Sequence, residues 1–219
     1  MIKVIGVQFN SSLKTYDFKP GRNKIEVNNY VVVETVQGIE IGRVIYIDKE
    51  VSAKEVEEPY KEVIRIADDK DLNRWKKMRE EGYQFLPLFR EKVKELKLEM
   101  KPITVELSFE GDRAIFYFAA ENRVDFRELI KVLSRSIKKQ VIMRQIGPRD
   151  EAKMLGGYGI CGQPVCCVRF LTQAESISMD MAREQYETNV NANKVTGLCG
   201  RLMCCLTFEE IDKKKGKKK

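Results

Sequence analysis

All six cysteines of the 219-residue chain fall within residues 161–205, where one motif is written twice: CGQPVCC at residues 161–167 and CGRLMCC at residues 199–205. Each copy is a Cys, a Gly, three variable residues and a Cys pair, and the copies start thirty-eight residues apart. Soft-metal and cluster sites gather about four thiolates, and two copies supply enough. The Gly after the first Cys permits a tight turn and offers backbone amides to ligand sulfur. In an extended segment neighbouring side chains point to opposite sides, so only one of each Cys pair is expected to face a shared centre. The first choice of metal ligands is therefore Cys161, Cys166, Cys199 and Cys204, with Cys167 and Cys205 as buried residues or alternates. Structural zinc sites usually place two residues between paired ligands, a spacing absent here, whereas four intervening residues occur in iron–sulfur proteins. The spacing leans toward a cluster, with zinc as the alternative. Cysteines also serve as small buried hydrophobes, but doubling of a three-cysteine motif is not needed for that. The C-x-x-C arrangement of a redox pair is missing.

The rest of the composition narrows the chemistry. The chain has no histidine, which excludes Ser-His-Asp and Cys-His catalysis and any mixed Cys/His zinc site. There is no Walker A loop. The glycines of residues 156–159 follow an expected helix rather than precede one, so phosphate binding is not indicated. The carboxylates are scattered. Arg144, Arg149, Arg169 and Arg201 flank the cysteines, more in keeping with solvated or paired roles than with a binding surface. The formal charge is +7, but residues 211–219 hold six Lys and one Asp and leave the body near +2. Such a tail is expected to be disordered and could contact RNA. The start, MIKVIGVQFN, has neither a long apolar stretch nor a small-residue cleavage site, and no apolar run is long enough to cross a bilayer. A cytoplasmic location is expected, without membrane insertion, where clustered thiols stay reduced and bind metal.

The elements that must position the cysteines read as an α+β protein. Residues 1–67 are rich in β-branched residues with turns at Pro20-Gly21, Asn28-Asn29 and Gln37-Gly38, giving a small antiparallel β-sheet or barrel. Residues 68–100 are helical, capped by Asp68 or Asp69 and divided near Gly82 and Pro87; Trp75, Phe85 and Phe89 belong to the core. Within an α+β domain of residues 101–155, residues 101–147 run β-β-α-β, with a capping box at Asp125 and Glu128 and an apolar stripe of Phe126, Leu129, Ile130, Leu133 and Ile137. The simplest architecture packs this helix on an antiparallel sheet. A short helix follows, opened by Pro148 and closed by Gly156-Gly157. Residues 156–210 form the doubled cysteine module, with a helix expected at 176–186 and a loop at 189–193, and 211–219 the basic tail.

Residues 156–208, above all CGQPVCCVRF and VTGLCGRLMCCL, resemble the RicT (YaaT) family of bacterial regulators, which shares its C-terminal region with a eukaryotic polymerase-suppressor protein. The likeness extends to IKVIGVQF at the start and to Gly42-Arg43-Val44, and no motif position departs from the pattern. The resemblance implies a regulator rather than an enzyme. It would act with two small helical partners, YmcA-like and YlbF-like proteins, in a complex linked to iron–sulfur clusters that influences RNA processing by endoribonuclease Y, with consequences for sporulation, competence and biofilm formation. Carried across by motif, all six cysteines (Cys161, Cys166, Cys167, Cys199, Cys204 and Cys205) are candidate ligands, and a partner could add more. The expected cofactor is an iron–sulfur cluster of the 4Fe–4S type, with zinc as the alternative. A nucleic-acid-binding protein with a structural cysteine site is the competing reading.

Overall fold

The β-branched first third of the chain becomes a five-stranded sheet in the computed structural model, which describes residues 2–9, 15–36, 38–51, 60–171, 177–186 and 192–207. The chain divides into two compact units, Met1–Ile146 and Gly147–Lys219. In the first, β1 (Ile2–Gln8), β2 (Thr15–Phe18), β3 (Tyr30–Thr35), β4 (Gly38–Val51) and β5 (Val63–Ile66) pair antiparallel in the order β2-β1-β4-β3-β5. The two outer strands are joined by a parallel bridge: the Lys19 N–H donates to Lys61 C=O and the Val63 N–H to Lys19 C=O, each at 2.9 Å. The sheet thus curls nearly closed around Ile5, Val7, Phe18, Val31, Val33 and Val44, which protects its edges. The expected β3–β4 hairpin is present, with Thr35 opposite Gly38, whose φ of 105° suits glycine. Gln37 lies outside the described residues.

Helix α1 (Asp69–Gln84) begins at a capping box: the Asp71 N–H donates to Asp68 Oδ1 at 2.8 Å and the Asp68 N–H to Asp71 Oδ2 at 3.0 Å. The Arg65 guanidinium hydrogen-bonds the Asp71 carboxylate and holds it down at about 2. Helix α1 ends at Phe85, and α2 (Leu86–Glu95) follows with Pro87 in its first turn. Gly82 does more than mark this division. It is buried inside α1, and a Cβ there would stand 2.6 Å from the Val105 carbonyl oxygen of the neighbouring strand. Helix propensity alone favours alanine at such a site by about 1 kcal/mol. The backbone contact reverses the sign: Gly82→Ala is expected to destabilise by about 1–3 kcal/mol, read as a lower urea midpoint. A raised midpoint would contradict the close approach of α1 to the strand.

The strand in question is β6 (Lys101–Leu107), followed by β7 (Arg113–Ala119), α3 (Arg127–Ile137) and β8 (Gln140–Gln145). The β-β-α-β order is as expected, but the sheet is mixed: β6 and β7 pair antiparallel, β7 and β8 parallel. A helical crossover returns the chain to the end from which it started, so the strand after it runs parallel; the purely antiparallel sheet expected from sequence is corrected on this point. Leu129, Leu133 and Ile137 of α3 are buried with Phe89 and Val93 of α2 and with Phe116 and Phe118 of β7. The expected capping box at Asp125 does not form. Arg127 takes that carboxylate in an ion pair at 2.6 Å, and Phe126 occupies the cap position without a side-chain bond.

Trp75 packs against a core of Val32, Ile41 and Phe109, with Tyr30 at 5.8 Å between ring centroids and the Arg79 guanidinium 5.0 Å over its ring. Nearby, the carboxyl of Glu40 on β4 is pushed up to about 7, first by burial and then by Glu106, against the pull of Arg113 and Arg144. Sequence reading does not single this group out, because its neighbours are distant in the chain.

The second unit carries α4 (Pro148–Leu155), α5 (Cys166–Arg169), α6 (Met179–Tyr186) and a 3-10 turn at Ala192–Val195. Pro148 opens α4 and Gly156 closes it at φ 70°, as expected. Of the expected loop at 189–193, residues 192–193 begin the 3-10 turn and the rest lie outside the described residues, as does the basic tail. Among the described residues no helix is long and apolar enough to cross a membrane.

Candidate functional site

The two cysteine motifs fold into the same hairpin twice, bond for bond. Tyr158 bridges Pro164 in the first copy and Thr196 bridges Leu202 in the second. The Gly159 N–H donates to Gln163 C=O and the Gly197 N–H to Arg201 C=O, both at 2.8 Å. The Val165 N–H reaches Gly157 C=O at 3.1 Å, and the Met203 N–H reaches Val195 C=O at 2.9 Å. Every one of these pairs keeps the thirty-eight-residue offset of the sequence. Gly162 and Gly200, which follow the first Cys of each copy, share a φ of 74°. That left-handed backbone is why glycine stands there. The glycine amides are taken up by the turn itself, donating to Gly159 and Gly197 carbonyls at 3.0 and 2.9 Å, so they are not left to bind a ligand sulfur as the sequence reading expects.

Both hairpins face one cavity of about 90 Å³, and all six cysteines line it; it has room for several waters. Cys167 is buried, Cys166, Cys199, Cys204 and Cys205 are partly buried, and Cys161 is exposed. The expectation that one cysteine of each pair turns away assumed an extended chain. Cys166 and Cys167 instead open the helical turn α5, and Cys204 and Cys205 also lie in a turn. Neighbours on a helix diverge by only about 100°, so both members of each pair reach the wall.

The electrostatics show how close the two copies come. Burial pushes the Cys167 thiol up, and the nearby Cys204 and Cys199 push it further, while Lys153 opposes. Burial likewise raises Cys204; Arg149 pulls it down, and Cys199 and Cys166 push it up again. Thiols of the first copy therefore sense thiols of the second. Helix α4, immediately before the first motif, contributes Arg149 and Ala152 to the wall. Arg149 and Lys153, four apart on that helix, give the thiolates cationic partners. That spacing was legible in the sequence; its direction toward the cysteines was not. Arg169 is exposed and donates to Gln163 Oε1 at 3.1 Å, and Arg144 belongs to β8 in the first unit.

The donor set fits an iron–sulfur cluster or another thiophilic metal. The wall offers six thiols and the Met203 thioether, with no carboxylate or hydroxyl side chain. Residues 152–174 and 188–208, which carry the two hairpins, contain no Asp or Glu at all. A site ligated by several thiolates accumulates negative charge, and a shell free of carboxylates avoids adding to it. Among the described residues, no three Cys, Asp or Glu side chains stand in metal-ligand geometry. The thiols share a wall but do not converge on a common point.

Residues 61–146 match the family described as the PSP1 C-terminal conserved region, and residues 176–218 match the third domain of PSP1-like proteins. No solved structure matches the chain. It is 44% identical over 209 residues to the stage 0 sporulation protein YaaT of Bacillus subtilis strain 168, an alignment covering 95% of this chain and 76% of that protein. With the doubled cysteine hairpin in place and similarity running along nearly its whole length, the chain belongs to the YaaT (RicT) family.

Proposed function

We propose that this chain is a non-enzymatic regulatory subunit whose second unit holds an iron–sulfur cluster in the six-thiol cavity. The observation that carries the reading is that both copies of the motif, thirty-eight residues apart, deliver all six thiols to one carboxylate-free wall. Cys167 and Cys204, whose thiols are each raised by thiols of the other copy, would hold the group together with Cys166 and Cys199, with Cys161 and Cys205 beside them on the same wall. A bound cluster would supply sensitivity to oxygen, iron supply or redox state. The chain's own residues supply the thiolates, the cations of α4 and an apolar wall. The similar YaaT protein is named for stage 0 of sporulation, and a regulatory role of that kind is the best-supported assignment for this chain. In that role it would act with YmcA-like and YlbF-like helical partners on RNA processing by endoribonuclease Y, bearing on sporulation, competence and biofilm formation, in the cytoplasm.

Anaerobic purification followed by iron, sulfide and zinc analysis tests the proposal. Iron and sulfide in comparable amounts are expected, together with broad visible absorption that is lost in a Cys199→Ser, Cys204→Ser double variant. Zinc alone, unchanged by anaerobic handling, would replace the cluster with a structural site and favour a nucleic-acid-binding scaffold. No metal in any preparation, with or without partners, would remove the ligand assignment.

A further inference from the structure

The two hairpins share their backbone but not their surroundings, and the difference marks a docking surface. In the second copy Leu206 is fully buried, packed with Ala182 of α6, Val195, Ile177 and Met203. The residue thirty-eight positions earlier is Val168, which is 50% exposed. Near it in the chain, Leu155, Tyr158, Ile160 and Phe170 are each more than half exposed. Five large apolar side chains within residues 155–170 is a dense exposure for one short segment, of the kind that marks interaction sites.

We infer that the outer face of the first hairpin, centred on Val168 and Arg169, docks an acidic amphipathic helix of another protein, in the way that α6 covers the second hairpin. The second copy shows the geometry the fold accepts: a helix setting a small residue, Ala182, against the buried apolar side chain. Charge selects the partner. Arg169 is exposed on this face, whereas the equivalent position in the covered copy is the neutral Thr207. No carboxylate occurs in residues 152–174 to answer it. A second copy of this chain docked face to face would set Arg169 against Arg169. In sequence, the covering helix MDMAREQY holds two acidic residues to one basic, an acidic balance of the kind the uncovered face calls for. Ile160 also lines the cavity, but Val168, Arg169 and Phe170 do not, so docking on them does not depend on which metal the thiols hold.

The probe is a fluorescein-labelled, hydrocarbon-stapled peptide of residues 177–186, titrated with the full chain under anaerobic conditions and followed by anisotropy. Saturable binding is expected. Val168→Asp is expected to weaken it by about tenfold or more, because a carboxylate then faces the apolar side of the helix and its acidic flank. Arg169→Glu is expected to weaken it by about threefold and to abolish its decline with added salt. A peptide with Ala182→Trp, too large for the contact, is expected not to bind. Both protein substitutions are at exposed positions, and unchanged metal content and thermal midpoint show that the fold and cavity persist. Absence of saturable binding to the unaltered chain, or equal binding by Val168→Asp, as when the peptide displaces α6 from the second hairpin, would overturn the inference. A cluster-free protein that still binds the peptide would leave it standing while removing the cluster proposal.

Discussion

Phe116→Ala is expected to destabilise the protein by about 3–5 kcal/mol, a large share of the roughly 5–15 kcal/mol that holds a domain folded. Phe116 is wholly buried in β7, and its ring meets Phe89 of α2 edge to face at 5.0 Å and 89°. Ala114 and Phe118 lie on the same face of the strand and share the core with Leu129 and Leu133 of α3. The ring thus joins both helices to the sheet, and its removal leaves a cavity that neither helix can fill without losing its other contacts. Phe116→Leu keeps most of the volume and is expected to cost about 1.5 kcal/mol or less. Urea unfolding followed by circular dichroism distinguishes the two. A cost below about 1 kcal/mol for the alanine variant would mean that the core collapses around the gap and that Phe116 is not its keystone.

Much of this core is legible in the sequence because it rests on local periodicity. The stripe of Leu129, Leu133 and Ile137, the alternation of residues 103–109 and the continuous apolar run of residues 114–118 are one-dimensional patterns, and they appear as α3, β6 and β7. The parallel entry of β8 is not written in its own residues; it follows from the helix that precedes it, which an alternation count does not weigh. The failed cap at Asp125 has a similar origin. The sequence shows a carboxylate three residues before Glu128, but not that Arg127 takes it in an ion pair. Gly82 reads as a helix breaker from propensity alone, and only the nearness of the Val105 carbonyl explains why it is buried in the last turn of a helix. Glu40 was invisible for the same reason, since burial and Glu106 reach it through the tertiary fold.

At the candidate site the sequence carried the repeat but not its geometry. The offset of thirty-eight residues and the glycine after each first cysteine foretell two equal turns, and Gly162 and Gly200 have the same φ. Both members of each cysteine pair line the cavity, because a helical turn rather than an extended strand carries them. Nor did the sequence show that the copies differ in cover. Val168 and Leu206 occupy the same place in the motif, and only the position of α6 makes one a core residue and the other a surface one.

That difference in burial ranks the cysteines. Cys204→Ser and Cys167→Ser are expected to lower bound iron by about tenfold or more, and Cys161→Ser by only about twofold, since the loss of even an outer contact to a metal ligand commonly costs 10–100-fold. Cys204 senses thiols of both copies, Cys199 beside it and Cys166 across the cavity, and Cys167 senses Cys204 and Cys199. A serine hydroxyl at either position remains protonated near neutral pH and supplies no soft anionic donor. Cys161 stands at the exposed end of its hairpin, where water or a partner's side chain can replace it. Iron and sulfide counted per chain after anaerobic purification, with each variant matched for secondary structure by circular dichroism, gives the order directly. If Cys161→Ser proves as damaging as Cys204→Ser, the hairpin tip must close over the metal, and the four ligands are then those at equivalent positions of the two copies: Cys161, Cys166, Cys199 and Cys204.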